Sequence, residues 1–296
     1  MFSTRRRFGI NVSLAVAALT ITSAAMAQQQ PPPLSVKPLN GDVYWTQGGA
    51  GGNTGIIVGK DGVIVVDAKT TPASSKDVQA EIAKITPKPV TTAILTHSDG
   101  DHVNGLAAFP DGLTIIAQEN CKKEMEASVN SKQPAPQNRL PTKTVDKKAD
   151  LTINGVKFTL LHFALAHTSG DLMVYLPAQK IVFTGDIITT NGPFTLIHLE
   201  KNGSSAGWIE TVKGLIMLNA DTYVPGHGDL QTKADLQARL DRVEAQREKI
   251  KKLVVEGKTL DQIKQELGEV DTPPAPGAPQ FASFTTVVYE ELTKKS

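Results

Sequence analysis

Four side chains that can bind metal lie within one run of six residues, His97-Ser98-Asp99-Gly100-Asp101-His102. Imidazole and carboxylate groups suit divalent metals of intermediate hardness, and two of each can serve two neighbouring ions. The β-branched segment 90–96 just before the run predicts a strand, so the ligands are expected on a loop at its carboxyl end. An acidic loop that only caps the next helix would not explain two histidines. The run therefore requires a fold that gathers further ligands around this loop, and it predicts a metal-dependent enzyme.

Three further candidate ligands follow later strand-like segments of the chain. His167, Asp186 and His227 each come after a β-rich stretch and lie near glycine. Loops that leave one edge of a sheet converge there, which is where binding residues concentrate. Each of these residues alone is typical of a surface loop. Together with the first run they predict a closed metal cluster.

With these residues in this order, the chain resembles the metallo-β-lactamase fold superfamily of hydrolases. The family's motifs are HxHxDH, a lone histidine, a bridging aspartate and a final histidine, and the resemblance runs from about Leu39 to about Gln231. It implies a four-layer αββα sandwich. It also implies that His97 and His167 bind the first metal, that Asp186 bridges both metals, and that the second metal is bound by Asp101, His102 and His227.

Asp99 departs from this family pattern, because the second histidine of HxHxDH is expected at its position. A carboxylate adds negative charge to the first site and shifts its preference from zinc toward manganese or iron. The flavodiiron branch of the same superfamily also has a carboxylate there, in HxExDH. Asp99 is predicted as a ligand, with the alternative that it only accepts a hydrogen bond beside a weak or empty site. We expect two divalent ions, zinc first, with iron or manganese as alternatives.

Two close cations imply hydrolysis by a metal-bound hydroxide. Asp101 is the predicted catalytic residue, because a carboxylate beside the metals can orient the nucleophile and carry its proton. The expected substrate is a small ester, lactone, thioester or amide. True metallo-β-lactamases typically carry Cys or Ser at the place of Asp186, so β-lactamase activity is kept only as an alternative, beside a flavodiiron-type redox protein and a non-catalytic metal-binding protein. His162 and His198 are left out of the metal set, with His198 a candidate for lining the substrate cleft.

The beginning of the chain predicts export. Residues 1–27 combine a basic start, an apolar stretch and a small-residue cleavage signal, which indicates a bacterial signal peptide. Its consecutive arginines before Phe8 favour the twin-arginine type, with a Sec signal as the alternative. The apolar stretch is too short for a stable membrane span. We therefore expect a periplasmic or secreted protein without stable membrane insertion.

The remaining regions are predicted from composition and periodicity. Residues 28–38 are expected to form an extended tether, 39–231 the catalytic domain, and 232–296 a helical extension packed on it. Without the three arginines of the signal peptide the chain has 28 basic against 30 acidic residues, which disfavours a nucleic-acid partner. Cys121 is predicted to be an ordinary helical residue. Whether the extension covers the cleft or mediates a homodimer is left open.

Overall fold

The computed structural model describes residues 31–132, 134–190, 192, 195–270 and 281–294. The predicted signal peptide, the first three residues of the predicted tether and the proline-rich connector at 272–279 lie outside these described residues. Among the residues described, no helix has the length and apolar character that a membrane crossing needs.

The first part of the chain forms a seven-stranded sheet whose strands lie side by side in chain order. The strands are β1 (Ser35–Pro38), β2 (Val43–Gln47), β3 (Thr54–Val58), β4 (Val63–Val66), β5 (Val90–Ile94), β6 (Thr114–Gln118) and β7 (Lys143–Val145). Strands β1 to β4 pair antiparallel, whereas β4 to β7 pair in parallel. Parallel pairing needs a crossover. Helix α1 (Pro72–Ile85) provides it between β4 and β5, so these elements form a βαβ unit.

The predicted tether is shorter than expected, because its last four residues are strand β1. Ser35–Pro38 pairs with β2 at the edge of the first sheet. Leu34 and Val36 are partly buried against the outer apolar cluster of that sheet, which explains why the chain is held there. Pro38 is compatible with this position, since an edge strand leaves one side of its backbone unpaired.

The second sheet has five strands, in the order β12, β11, β10, β9, β8. They are β8 (Lys148–Ile153), β9 (Val156–Leu161), β10 (Met173–Leu176), β11 (Ile181–Thr189) and β12 (Thr222–His227). Asp186 was expected at the end of its strand, but β11 continues to Thr189. The pairing of β11 with β12 shifts register around Gly185, which has a φ of +53°. This irregularity redirects the strand without ending it.

Helices cover both outer faces of the paired sheets. They are α2 (Gly100–Val103), α3 (Glu119–Ala127), α4 (Ser205–Met217), α5 (Lys233–Val255), α6 (Leu260–Leu267) and α7 (Phe284–Thr293). One apolar cluster lies between the sheets, a second joins the first sheet to α1 and α3, and a third joins the second sheet to α4, α5, α6 and α7. Three interfaces between four layers make the predicted αββα sandwich.

The helical C-terminal extension is part of this packing. Val287 and Val288 of α7 are fully buried in the outer cluster of the second sheet, together with Leu240 and Val243 of α5. Cys121 lies in α3, as predicted for an ordinary helical residue, and it is buried there. The described part of the extension therefore completes the fourth layer.

Candidate metal centre

The predicted ligands meet at one end of the sandwich, where segments from both sheets approach each other. The ligand run follows β5, and α2 begins directly after Asp99. Helix α2 is followed by a 3₁₀ turn at Asn104–Ala108, where Gly105 donates its N–H to the Lys69 carbonyl. His167 lies between β9 and β10, and His227 is the last residue of β12.

The ligand atoms form three sets in which all members lie within 4.8 Å of one another. The first group is His97, Asp99 and His167, and the second group is Asp101, His102 and His227. The third set joins Asp186 to His97 and His102, one histidine from each group. The structure thus brings all seven predicted residues together, with Asp186 between the two groups.

Distances in the second group are close to those of atoms that surround one ion. His227 Nε2 lies 2.9 Å from Asp101 Oδ2 and 3.2 Å from His102 Nε2, and His102 Nε2 lies 3.7 Å from Asp101 Oδ2. Outside the group, His102 Nε2 lies 3.3 Å from Asp186 Oδ1. Ligand atoms about 2.1 Å from a zinc ion are about 3.0–3.4 Å from each other, depending on the coordination angle. The atoms are therefore spaced to share a cation.

Asp67 orients two of the histidines. Its carboxylate accepts from His102 Nδ1 at 2.8 Å and from the Thr96 hydroxyl at 2.7 Å. The Thr96 oxygen, having given its proton to Asp67, accepts from His97 Nδ1 at 2.9 Å. Both imidazoles therefore have their Nδ1 protons committed, so Nε2 is the nitrogen that each ring presents to the centre for a metal, as in histidine ligands that a carboxylate supports from behind.

His167 is oriented in the same way by a backbone carbonyl. Its Nδ1 lies 2.8 Å from the Leu196 oxygen, which can only accept, so Nδ1 carries the proton. Its Nε2 then faces Asp99 Oδ2 at 3.2 Å. A lone pair that faces a carboxylate at this distance requires a proton or a metal ion between the two atoms.

Asp99 lies in a pocket of positive and imidazole groups. Its Oδ2 is 3.6 Å from His97 Nε2, 3.2 Å from His167 Nε2 and 3.2 Å from His198 Nε2. Its Oδ1 contacts Lys201 Nζ at 2.5 Å. The extra negative charge that Asp99 brings to the first group is therefore balanced by a lysine.

Lys201 is itself fixed by a polar network behind the ligand run. Its Nζ donates to the Ser98 hydroxyl at 2.9 Å, and Ser98 donates to Glu124 at 2.6 Å. The other oxygen of Glu124 accepts from Ser169 at 2.6 Å. This network ties the loops of the first and second sheets together beside Asp99.

The buried carboxylates remain ionised. Burial by itself would raise the pKa of Asp99, but His97, with His167 and His198, holds that pKa well below its usual range. Burial is outweighed in the same way at Asp186, whose pKa is lowered by His102 and other histidines. Both groups are thus available as anionic ligands near neutral pH.

The pKa values of two histidines of the centre are raised. Burial alone would lower the pKa of His167, but the hydrogen bond and charge of Asp99 raise it to about 9. His102 is also raised well above its usual pKa, against burial, by Asp101 and Asp186. In the metal-free protein, protons balance the buried carboxylates, and divalent cations would supply the same charge.

Unpartnered buried atoms support the fit of a metal. His97 Nε2, Asp186 Oδ1 and His198 Nε2 are buried without a hydrogen-bond partner of good geometry. Buried polar atoms are normally satisfied, so an unsatisfied cluster requires an explanation such as a bound ion. Imidazole nitrogens and carboxylate oxygens are also donors that zinc accepts. The residues present fit a pair of divalent ions.

The glycine-rich segment between β2 and β3 is a hairpin turn at the rim of the site. Gly52 lies so close to the second group that an added Cβ would be 2.2 Å from His102 Cε1. A Cβ on Gly51 would be 2.6 Å from the Asp101 carbonyl oxygen. These glycines let the backbone pass directly behind the ligands.

Three residues of the site were not predicted as part of it. Asp67 follows β4, the strand parallel to β5, so a carboxylate at the end of a neighbouring strand was a usable signal. His198 was expected at most to line the cleft, and Lys201 was not considered. His198 is the N-cap residue and Lys201 the last residue of the 3₁₀ turn Leu199–Lys201, and the sequence of this turn does not indicate a contact with Asp99.

Comparisons with known proteins agree with this geometry. The sequence model of the metallo-beta-lactamase superfamily matches residues 48–227. The chain is 29% identical over 199 residues to the 2,4-dinitroanisole O-demethylase subunit alpha of a Nocardioides species, a match of 66% of this chain and 58% of that protein. It is 26% identical over 218 residues to the linear primary-alkylsulfatase of a Pseudomonas species, covering 58% of this chain and 40% of that protein. The match thus spans between two fifths and three fifths of the length of these relatives.

A solved structure shows the same fold. The metallo-beta-lactamase from Pontibacter korlensis superposes with a TM-score of 0.62, at 20% sequence identity, over 72% of this chain and 99% of that chain. The sandwich, the order of the ligand motifs and the family match agree. The chain therefore belongs to the metallo-beta-lactamase superfamily.

Proposed function

We propose that this protein is a metal-dependent hydrolase that acts on a small ester, lactone, thioester or amide. The observation that carries the proposal is that the first and second groups, each a set of imidazole and carboxylate ligand atoms, are joined by Asp186. Two divalent ions held this way would lower the pKa of water and polarise the oxygen under attack.

The residues of the chain have distinct tasks in this proposal. His97, Asp99 and His167 would hold one ion, Asp101, His102 and His227 the other, and Asp186 would contact both. The Asp67 carboxylate keeps the His102 and His97 rings in the tautomer that binds metal. This support is a positioning role, because Asp67 lies behind the rings.

Asp101 is the proposed catalytic residue. Its side chain is 37% exposed, whereas that of Asp186 is only 8% exposed, so Asp101 is the more accessible of these two carboxylates. It faces His227 Nε2 at 2.9 Å. From this position it can orient a nucleophile and move a proton toward the leaving group.

Zinc is the proposed metal. The extra charge of Asp99 favours harder ions in principle, but the Lys201 ammonium contacts its Oδ1 and offsets that charge. The net charge of the first group with Lys201 is then that of a group with neutral ligands only. This balance supports zinc over iron or manganese and makes a flavodiiron-type redox role a weaker alternative.

A sulfate ester is a second candidate substrate. It is favoured by the match to a linear primary-alkylsulfatase, although that match spans 40% of the relative. A sulfate ester is compatible with the same chemistry, because its leaving group is also an oxygen that needs a proton. The β-lactam ring, a strained amide, belongs to the first substrate class and remains an alternative.

The test is a substrate panel with defined metal content. The metal-free protein is loaded with zinc, manganese or iron and assayed with an aryl ester, a lactone, an acyl thioester, a β-lactam and an alkyl sulfate. Turnover of at least one, abolished by chelation and restored by metal, is expected. Asp101→Ala should lose this activity, whereas Asp221→Ala, at a largely exposed ion pair with Lys180, should keep it.

Two outcomes contradict the proposal. Oxygen consumption by the iron-loaded protein, with no hydrolysis of any substrate, would indicate redox chemistry. Stable binding of metal with no turnover under any loading would indicate a metal-binding protein. Either result separates the hydrolase from its alternatives.

We also propose that the protein acts in the periplasm or outside the cell. The support is the composition of residues 1–27, which have the pattern of an export signal. Fractionation of the native host tests it. Finding the full-length chain in the cytoplasm, with residues 1–27 retained, would refute it.

A further inference from the structure

His198 lies beside the first group, and a backbone hydrogen bond joins it to His167 of that group. Its N–H donates to the His167 carbonyl oxygen at 2.8 Å, and the two rings meet edge to face with centroids 4.7 Å apart. The side chain is 4% exposed. A buried imidazole that is held against a predicted metal ligand is itself in reach of the same centre.

One ring nitrogen of His198, Nε2, has no hydrogen-bond partner among the described residues. Its Nδ1 contacts Glu200 Oε1 at 2.5 Å, and an ionised carboxylate can only accept, so Nδ1 carries the proton. The Nε2 lone pair then faces Asp99 Oδ2 at 3.2 Å, acceptor against acceptor, without a hydrogen bond of good geometry. This is the arrangement found at His167, and it likewise requires a positive charge between the atoms.

The distances from Asp99 Oδ2 to the Nε2 atoms of His167 and His198 are those of donors that share one ion, while the ligand atoms that all lie within 4.8 Å of one another are those of His97, Asp99 and His167. Three Nε2 atoms lie 3.2–3.6 Å from Asp99 Oδ2, those of His97, His167 and His198. Donors about 2.1 Å from one ion are about 3.0–3.4 Å apart. Lys201 occupies the other carboxylate oxygen, so Oδ2 remains for the metal.

The family motif has a histidine at the position of Asp99, so this chain is one imidazole short in its first group. We propose that His198 supplies the missing imidazole and is a ligand of the first divalent ion, beside His97, His167 and Asp99. The carboxylate of Glu200 then orients the ring from behind, as Asp67 does for His102. Phe281 packs edge to face on the His198 ring at 4.7 Å and helps to keep water from it.

This inference rests on the metal centre of the proposed hydrolase, so its test must separate the two. The probe is ¹¹³Cd²⁺ bound to the full mature chain labelled with ¹⁵N-histidine, because scalar coupling between the two nuclei reports a direct bond. Each Nε2 resonance is assigned with single His→Gln variants. His162, whose Nδ1 contacts the Asp171 carbonyl away from the centre, is the internal control and should show no coupling.

Coupling at His198 together with His97 and His167 is the expected result. Coupling at His97 and His167 with none at His198 would overturn this inference and leave the metal centre intact. Absence of coupling at all histidines would overturn both the inference and the centre on which the proposed function rests. The coupling itself is measured in the unmodified chain, and the variants serve only to assign the resonances.

A second measurement uses affinity. In a chelator competition, His198→Gln should lower the zinc affinity of the first group by more than about 100-fold. Loss of a residue that only supports a ligand lowers metal affinity by about 10–100-fold. His162→Gln is the matched control and should change affinity by less than about threefold. A loss of less than about 100-fold in His198→Gln would show that the ring supports the site without binding the metal.

Discussion

The contact between Gly52 and His102 leads to the sharpest structural prediction. In Gly52→Ala the new Cβ would lie 2.2 Å from His102 Cε1 and 2.6 Å from His102 Nε2, whereas ordinary contacts begin at 3.4 Å. The ring would have to move by about 1.2 Å. Metal–ligand distances tolerate only about 0.2 Å, so the ring cannot make this movement and keep its place in the second group.

The expected result is loss of the second metal with retention of the fold. We expect zinc affinity at the second group to fall by at least about 100-fold, since a misplacement of about 1 Å has a comparable effect on catalytic geometry. A chelator competition gives the number of bound ions and their affinities, and circular dichroism checks the fold.

The control for this variant is Gly112→Ala. Gly112 has no neighbour within 4 Å of an added Cβ, but its φ is +84°, so the variant measures backbone strain without any contact at the site. It should lower stability by about 1–2 kcal/mol and leave metal binding unchanged. If Gly52→Ala binds two zinc ions with affinities within about threefold of the parent, the close approach does not constrain His102 and the reasoning is wrong.

Three further predictions concern catalysis, packing and metal. Asp101→Ala, assayed at saturating metal, should lower kcat by about 10²–10⁴-fold without a change in thermal unfolding, and a loss under tenfold would remove its catalytic role. Val288→Ala, at a fully buried position of α7, should lower the free energy of unfolding by about 2 kcal/mol in a denaturant titration, whereas Val270→Ala, at an 82% exposed position, should change it by less than about 0.5 kcal/mol. Equal effects would mean that the C-terminal extension does not stabilise the core. With free zinc at about 100 times the Kd of one site, removal of that zinc should lower the free energy of unfolding by about 2.7 kcal/mol and Tm by about 5–10 °C. Differential scanning calorimetry with and without chelator measures this change. An unchanged Tm would contradict a metal bound to the native state.

Local patterns made most of the fold predictable. The β-branched segment before His97 indicated β5, and the apolar stripes after residue 232 indicated α5. These signals are readable because side-chain periodicity depends only on near neighbours along the chain. Their ends were less well predicted: β11 continues past Asp186, and β1 lies within the predicted tether, because contacts with other strands determine where pairing stops.

The cluster of candidate ligands was also largely predictable from the sequence, whereas its surroundings were not. Histidine and aspartate in a known order indicate a metal centre, since few structural roles need four such groups in six residues. The partners of Asp99, in contrast, could not be predicted from a sequence pattern. Lys201 and His198 reach it from about 100 positions later in the chain, through a turn that has no periodicity of its own.

The amino-acid sequence alone therefore determined the class of fold, the identity of the predicted ligands and the absence of a histidine at position 99. Only the tertiary structure decided what surrounds Asp99, which has a lysine on one carboxylate oxygen and a buried imidazole facing the other. The physical reason is that charge balance and coordination depend on distances of about 2–4 Å between atoms, and such distances exist only once the two sheets have packed together.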